Sequence, residues 1–181
     1  MEEITIASLK NLVKRKIGYG IVQPGDSSAL CVPVIKVNNL ISGLNDPGIL
    51  DKTTEVISQK YSRTIVQGGE LLVSVVGTIG KTAIVPSSFA GSNIARAVAM
   101  IDIPDETLSL WVKYYIDSPQ GQSYITENLN TTVQPTLNIK DLENLPIPLY
   151  RKDHIFRCVQ ILKSIDDKIA LNNRINHNLA A

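Results

Sequence analysis

The sequence predicts an α+β fold: a globular domain on a twisted mixed β-sheet over residues 1–150, followed by a long C-terminal helix of coiled-coil type over residues 151–181. Three observations carry this expectation. Short β-branched runs bounded by glycine fill much of the first half, as in ELLVSVVGTIG and KTAIVP. The apolar period then lengthens from strand to helix spacing in DETLSLWVKYYIDS. From Asp153 onward, apolar residues recur every seven positions.

Taken in order, Leu9, Leu12 and Val13 of SLKNLVKR fall at helical spacing with Lys10, Lys14 and Arg15 on other faces, so a short amphipathic helix is expected. Gly18 and Gly20 end it, and GYGIVQPGDS continues as a brief strand and a Pro-Gly turn. CVPVIKVNNL reads as a buried strand leading into a polar loop around residues 42–47, and a short helix fits residues 53–60. The strongest strand is residues 70–80, entered through Gly68-Gly69; with KTAIVP it makes a hairpin around a glycine-bounded loop. ARAVAMIDI is a further strand. In the helix after it, Leu108, Trp111, Val112 and Tyr115 share one face, and a second helical piece follows at residues 121–128. Asn138 is placed to cap a short helix containing Leu142, and Pro146-Ile147-Pro148 reads as an extended linker that closes the globular part. In the last helix Ile155, Leu162, Ile169 and Asn176 lie seven apart, as do Cys158, Ile165, Asn172 and Leu179, while Ile161 and Ile175 widen the stripe. At ~1.5 Å per residue such a helix projects about 40 Å. No internal repeat is visible.

Composition narrows the function. With 181 residues, 44% hydrophobic and 19% charged, the chain can bury a core and is too apolar for a disordered tail. Its net charge of +1 excludes a polycation that grips nucleic acid by bulk charge, so any anion binding must come from local clustering. The charge is unevenly spread: residues 1–100 hold 10 basic and 7 acidic side chains, residues 101–150 hold 2 and 7, and residues 151–181 hold 6 and 3. Cys31 and Cys158 are 127 positions apart, which argues against a CxxC zinc or redox site and a disulfide scaffold. The acidic start MEEITIASLK is unlike a signal peptide and no apolar run reaches about 20 residues, so a cytoplasmic protein without membrane spans is expected.

The motifs point away from catalysis. GTIGKT follows a strand and suggests a phosphate-binding loop, but Val75 stands where the Walker pattern needs its first glycine. The β-branched AIVPSS behind it offers no helix N-terminus for an anion. A tight hairpin turn displaying Thr78 and Lys81 is the competing reading. His154 and His177, 23 positions apart on one helix, cannot share a metal within the chain, and no metal site is expected. Asp166 and Asp167 are adjacent on that helix and point in different directions. Neither a glycine-rich cofactor loop nor an Asn/Asp-Pro-Pro-aromatic motif is present, so no catalytic residue is assigned. Lys14, Arg15 and Lys16 form either a solvated helix end or, beside Tyr19 and Gln23, a grip for phosphates. Asn172 and Asn176 are either a fraying end or amides that fix helix register.

The order of these pieces resembles one half of a type I restriction-modification specificity subunit. The resemblance runs from about Ser8 to Leu179 and rests on the expected basic helix before YGIVQPG, on GGELLVSVVGTIGKTAIV, on NIAR at residues 93–96, on TVQPTLNIKDLENLPIPL, and on the helix RKDHIFRCVQILKSIDDKIALNNRINHNL. It implies a target recognition domain that reads one half of a bipartite double-stranded DNA sequence, followed by a helical spacer. It also implies a subunit without its own cofactor, docking adenine-N6 methyltransferase subunits that carry S-adenosylmethionine and an ATP-dependent restriction subunit where one exists. The family's usual chain holds two recognition domains and two long helices; one of each stands here, so this is either a half-subunit or a fragment. A half-subunit must pair with a second copy, through Ile155, Cys158, Leu162, Ile165, Ile169, Asn172 and Leu179. Gln23, Asn38, Asn39, Asn93, Gln134 and Asn138 suit adenine edges, and Lys81 and Arg96 suit guanine. Lys14, Arg15, Lys16, Tyr19, Lys36 and Thr78 complete the expected DNA-binding set. The rival readings are an NTPase built on GTIGKT and an adaptor that oligomerises without binding DNA.

Overall fold

A computed structural model describes residues 4–23, 31–130 and 134–179, and the side chains of all of these except 174 and 177–179. The apolar run at Leu71–Ser74 (β5) forms the centre of a four-stranded antiparallel sheet. It pairs with Thr82–Ile84 (β6) on one side and Val98–Ile101 (β8) on the other, and Gly18–Tyr19 (β2) closes the far edge against β8. Because strand side chains alternate faces, Leu71, Val73 and Val75 enter one core while Leu72 enters another. Both faces of β5 are covered, which explains why its sequence is continuously apolar rather than alternating.

The first core is roofed by Glu106–Asp117 (α3) and Pro119–Glu127 (α4), with Val112, Ile116 and Ile125 buried. Side-chain oxygens of Asp105 and Ser118 cap these helices by accepting from Leu108 N–H and Gly121 N–H. Trp111 lies on the expected face of α3 and donates its indole N–H to the Pro148 carbonyl at 2.8 Å. Ser109, also on α3, is buried with a hydroxyl that has no partner among the described residues. Ser109→Ala removes that unpaired group and improves helix propensity, so it should stabilise the fold by about 1 kcal/mol. An unchanged or lower melting temperature would contradict this.

The second core lies under a smaller mixed sheet. Val32–Ile35 (β3) runs antiparallel to Lys52–Thr53 (β4) and parallel to Asn93–Ile94 (β7). Between β3 and β4 sits Val37–Ser42 (α1), and after β4 comes Glu55–Lys60 (α2), whose cap is the Thr54 hydroxyl. The long strand expected from CVPVIKVNNL therefore stops at Ile35. The reason is local: Asn39 Oδ1 accepts the Lys36 N–H at 2.7 Å and starts a helical turn.

Two other expectations need correction. The amphipathic helix expected over SLKNLVKR is instead one 3-10 turn, Leu9–Asn11, directly behind a strand, Thr5–Ser8 (β1). Pro146–Leu149 is not a linker; it is a strand (β11) that pairs antiparallel with β1, and its Ile147 is fully buried. The two errors have one cause, since each segment finds its partner about 140 residues away. Leu9 still reaches the core, as its spacing required, and its N–H donates to the Leu145 carbonyl. Between these strands the chain adds Leu129–Asn130 (β9), Thr136–Leu137 (β10) paired with it, and Ile139–Glu143 (α5). Asn138 occupies the cap position of α5, but its side chain makes no capping bond.

The last element is the helix Lys152–Leu179 (α6). Ile155 and Val159 anchor it to the domain; the heptad reading includes the first and misses the second. Farther along, Asp166 accepts the Tyr114 hydroxyl at 3.0 Å and faces Lys113 at 3.6 Å. Burial first, and then this hydrogen bond to a carboxylate, push the Tyr114 phenol above its ordinary range, so it stays a donor. Ile161, Leu162, Ile165, Ile169, Leu171 and Ile175 remain exposed, and Cys158 is half-buried. Among the described residues, no helix is long and apolar enough to cross a membrane.

Candidate nucleic-acid interface

Several chain segments meet where β5 ends. The Val75 N–H donates to Ala97 O, and Val75 O accepts from Leu137 N–H, both at 2.9 Å. Val76 bridges Thr136, while Arg96 N–H donates to Ile21 O at 2.8 Å. These bonds bring the residues following β2, the turn after β5, the approach to β8 and the approach to β10 to one end of the sheet.

That end carries two adjoining concavities. The first, about 270 Å³, is lined by Tyr19, Val22, Val76, Arg96 and Thr136. The second, about 380 Å³, is lined by Val22, Val76 and Arg96 again, together with Val34, Lys36 and Gln134. Arg96 is exposed, with no carboxylate partner among the described residues, so its guanidinium fork is available to an outside acceptor. Lys36 is held 2.6 Å from Asp51. Tyr19 is fixed from below, its hydroxyl accepting the Ile139 N–H at 3.3 Å, and Asn138 stands exposed next to that contact.

The GTIGKT segment forms the hairpin turn between β5 and β6. Gly77 and Gly80 have φ of 79° and 77°, the left-handed region that glycine adopts without strain. Ser74 Oγ ties the turn together, donating to Thr78 O at 2.6 Å and accepting Lys81 N–H at 2.8 Å. A strand follows, not a helix, so the geometry of a nucleotide-binding loop is not formed. Thr78 and Lys81 are exposed on this turn.

Other expected site residues lie elsewhere. Asn93 must be corrected: it is fully buried, and its amide is consumed by Ser58, Tyr61, Thr64 and Ile94, so it cannot reach a base edge. Arg15 is committed to Glu70 at 3.0 Å and to Asp102. Lys14 lines a separate recess with Gln67, Glu70 and Asp102. Asn38 and Gln23 are exposed, and Asn39 is spent on the α1 turn. The Pro24-Gly25 turn expected after Gln23 and the side chain of Leu179 lie outside the described residues.

Comparison with known proteins settles the family. The type I restriction modification DNA specificity domain matches residues 7–181. This chain belongs to that family. It is 33% identical over 178 residues to the type I restriction enzyme EcoBI specificity subunit of Escherichia coli, a match covering 95% of this chain and 37% of that protein. The chain thus spans little more than a third of its relative's length. Two solved structures share the fold. The type I S subunit from M. genitalium aligns with a TM-score of 0.63 at 14% identity, over 93% of this chain and 40% of that one. The HsdS subunit from Thermoanaerobacter tengcongensis aligns at 0.58 and 19%, over 95% and 39%. The specificity-domain match spans both the sheet end around Arg96 and α6.

Sequence reasoning missed part of the surface beside this site. Across from Lys16 and Tyr19 stand Lys60, Tyr61 and Arg63, and together they line a groove of about 840 Å³. The two walls are over forty residues apart in sequence, and a local basic run reveals only one of them.

Proposed function

We propose that this chain reads one half of a bipartite DNA sequence as a specificity component that performs no chemistry itself. Residues 1–150 are the reading domain and residues 151–181 the spacer and pairing helix. The observation that carries the proposal is the specificity-domain match over residues 7–181, which includes the sheet end where Arg96, Gln134, Lys36 and Tyr19 converge. In this reading, adenine-N6 methyltransferase subunits dock on the chain and hold the methyl donor S-adenosylmethionine. ATP is used by a restriction subunit where one is present, and a second copy of the chain completes the reader.

The test is methylation mapping. The chain mixed with its methyltransferase should confer methylation at one discrete bipartite site, whereas the chain alone with labelled S-adenosylmethionine should transfer nothing. Within the complex, Arg96→Ala should cost roughly 1 to 3 kcal/mol on the cognate site and leave binding to unrelated duplexes unchanged, the signature of a base-reading side chain. An equal loss on every duplex would reassign Arg96 to the backbone. If the complex forms but shows no DNA binding, the chain is an adaptor and the proposal is wrong.

A further inference from the structure

The groove on the other side of Tyr19 has its own electrostatic logic. Its walls are residues 15–19 and residues 60–64, and Tyr19 borders both this groove and the Arg96 concavity. Arg15 contributes shape rather than free charge, since Glu70 and Asp102 neutralise it. Lys16, Lys60 and Arg63 are exposed and have no carboxylate partner among the described residues. In a chain whose net charge is only +1, three unneutralised cations in one groove form a local cluster. Ser62 and Tyr61 add hydroxyls of the kind that contact phosphate oxygens.

The far wall is built to hold its shape. Asn93 Nδ2 donates to Ser58 Oγ at 3.0 Å and to the Ser58 and Tyr61 carbonyls at 3.3 Å. Its Oδ1 accepts the Thr64 hydroxyl at 2.7 Å. The buried amide thereby fixes the end of α2 and the turn that presents Lys60 and Arg63. A side chain that looks from sequence like a base reader instead positions this wall.

We infer that the groove between residues 15–19 and 60–64 seats the phosphate backbone of the DNA whose bases face Arg96, with Tyr19 as the rib between backbone and bases. The inference rests on the DNA-reading proposal and adds a location to it. Backbone contacts position a duplex and are blind to sequence, so their loss must weaken all duplexes alike and reduce the number of counterions released.

The experiment compares two variants of the full chain, assembled with its methyltransferase, that lose the same charge. One is the double variant Lys60→Gln, Arg63→Gln; the other is Lys10→Gln, Lys52→Gln, two exposed lysines outside the groove. Binding to a mixed-sequence duplex is measured across a range of KCl concentrations. The groove variant should flatten the slope of log K against log salt by about 2, since each lost phosphate contact removes about 0.9. It should weaken cognate and mixed-sequence duplexes by the same factor, while the control keeps the parental slope. Equal slopes in the groove variant and the parent, or equal effects of the two variants, would overturn the inference and leave the DNA-reading proposal standing. Displacement of the duplex by millimolar inorganic phosphate at constant ionic strength would reveal a discrete phosphate pocket and overturn it too. A parent complex that binds neither duplex would remove the DNA-reading proposal and this inference together.

Discussion

Gly20→Ala should destabilise the chain by about 3 kcal/mol or more, a cost at the upper end for an overpacked contact. A methyl group built on Gly20 would lie 1.8 Å from the Ile94 carbonyl oxygen and 2.4 Å from its carbon. Both are backbone atoms and cannot rotate aside. Relief requires the chain after β2 to move away from β7, and that movement breaks the bonds from Ile21 N–H to Ile94 O and from Arg96 N–H to Ile21 O. The damage therefore reaches the site, because those two bonds hold Arg96 beside Tyr19 and Val22. Gly18, two residues earlier, is the internal control. Nothing lies within 4 Å of its added methyl, so Gly18→Ala should be neutral or stabilise by about 0.4 to 1 kcal/mol through a less flexible unfolded chain. Urea unfolding of the two variants reads the contrast directly. Midpoints that shift equally would show that the close approach at Gly20 is not what restricts this position.

The elements that could be read from sequence are those stabilised by their neighbours along the chain. The hairpin of β5 and β6 carries its turn glycines between its own strands, and α3 and α4 carry their caps at Asp105 and Ser118. The elements misread are those whose partners are remote. Pro146–Leu149 becomes a strand only because Thr5–Ser8 lies beside it, and the three apolar residues of SLKNLVKR at helical spacing are equally satisfied by one 3-10 turn over the core. Site residues follow the same division. Gln134 belongs to a loop whose polarity is visible locally, whereas Arg96, at the start of the expected strand ARAVAMIDI, stands in the turn before β8, and the fold brings the two to one concavity. Asn93 carries the same chemical groups as a base reader, and only burial distinguishes the two roles. Lys60 and Arg63 look like ordinary exposed cations until Lys16 is placed opposite them.

If two copies pair through α6 as proposed, replacing Ile165 and Ile169 by lysine should abolish that pairing and, with it, methylation of a bipartite site. Beyond its anchors Ile155 and Val159, α6 leaves Ile161, Leu162, Ile165, Ile169, Leu171 and Ile175 exposed, an apolar series that monomeric surfaces rarely carry. At a pairing interface between two copies, Ile165 and Ile169 would bury four side chains at about 1.5 kcal/mol each. Their loss then corresponds to roughly 6 kcal/mol, or about four decades in Kd. Neither residue belongs to a buried core, so the variant domain should keep the parental melting temperature, and sedimentation at micromolar concentration would report association alone. If two copies pair through α6, Asn172, exposed on the same helix, would fall in the seam, and Asn172→Leu should tighten association or change the size of the oligomer, since an amide in an apolar seam favours one alignment at some cost in stability. Two copies related by a two-fold axis present the same reading surface in opposite directions. The two half-sites must then be one sequence inverted, separated by a spacing that α6 sets. A parent chain that stays single in the assembled methyltransferase, or a methylated site with two unrelated halves, would exclude this arrangement.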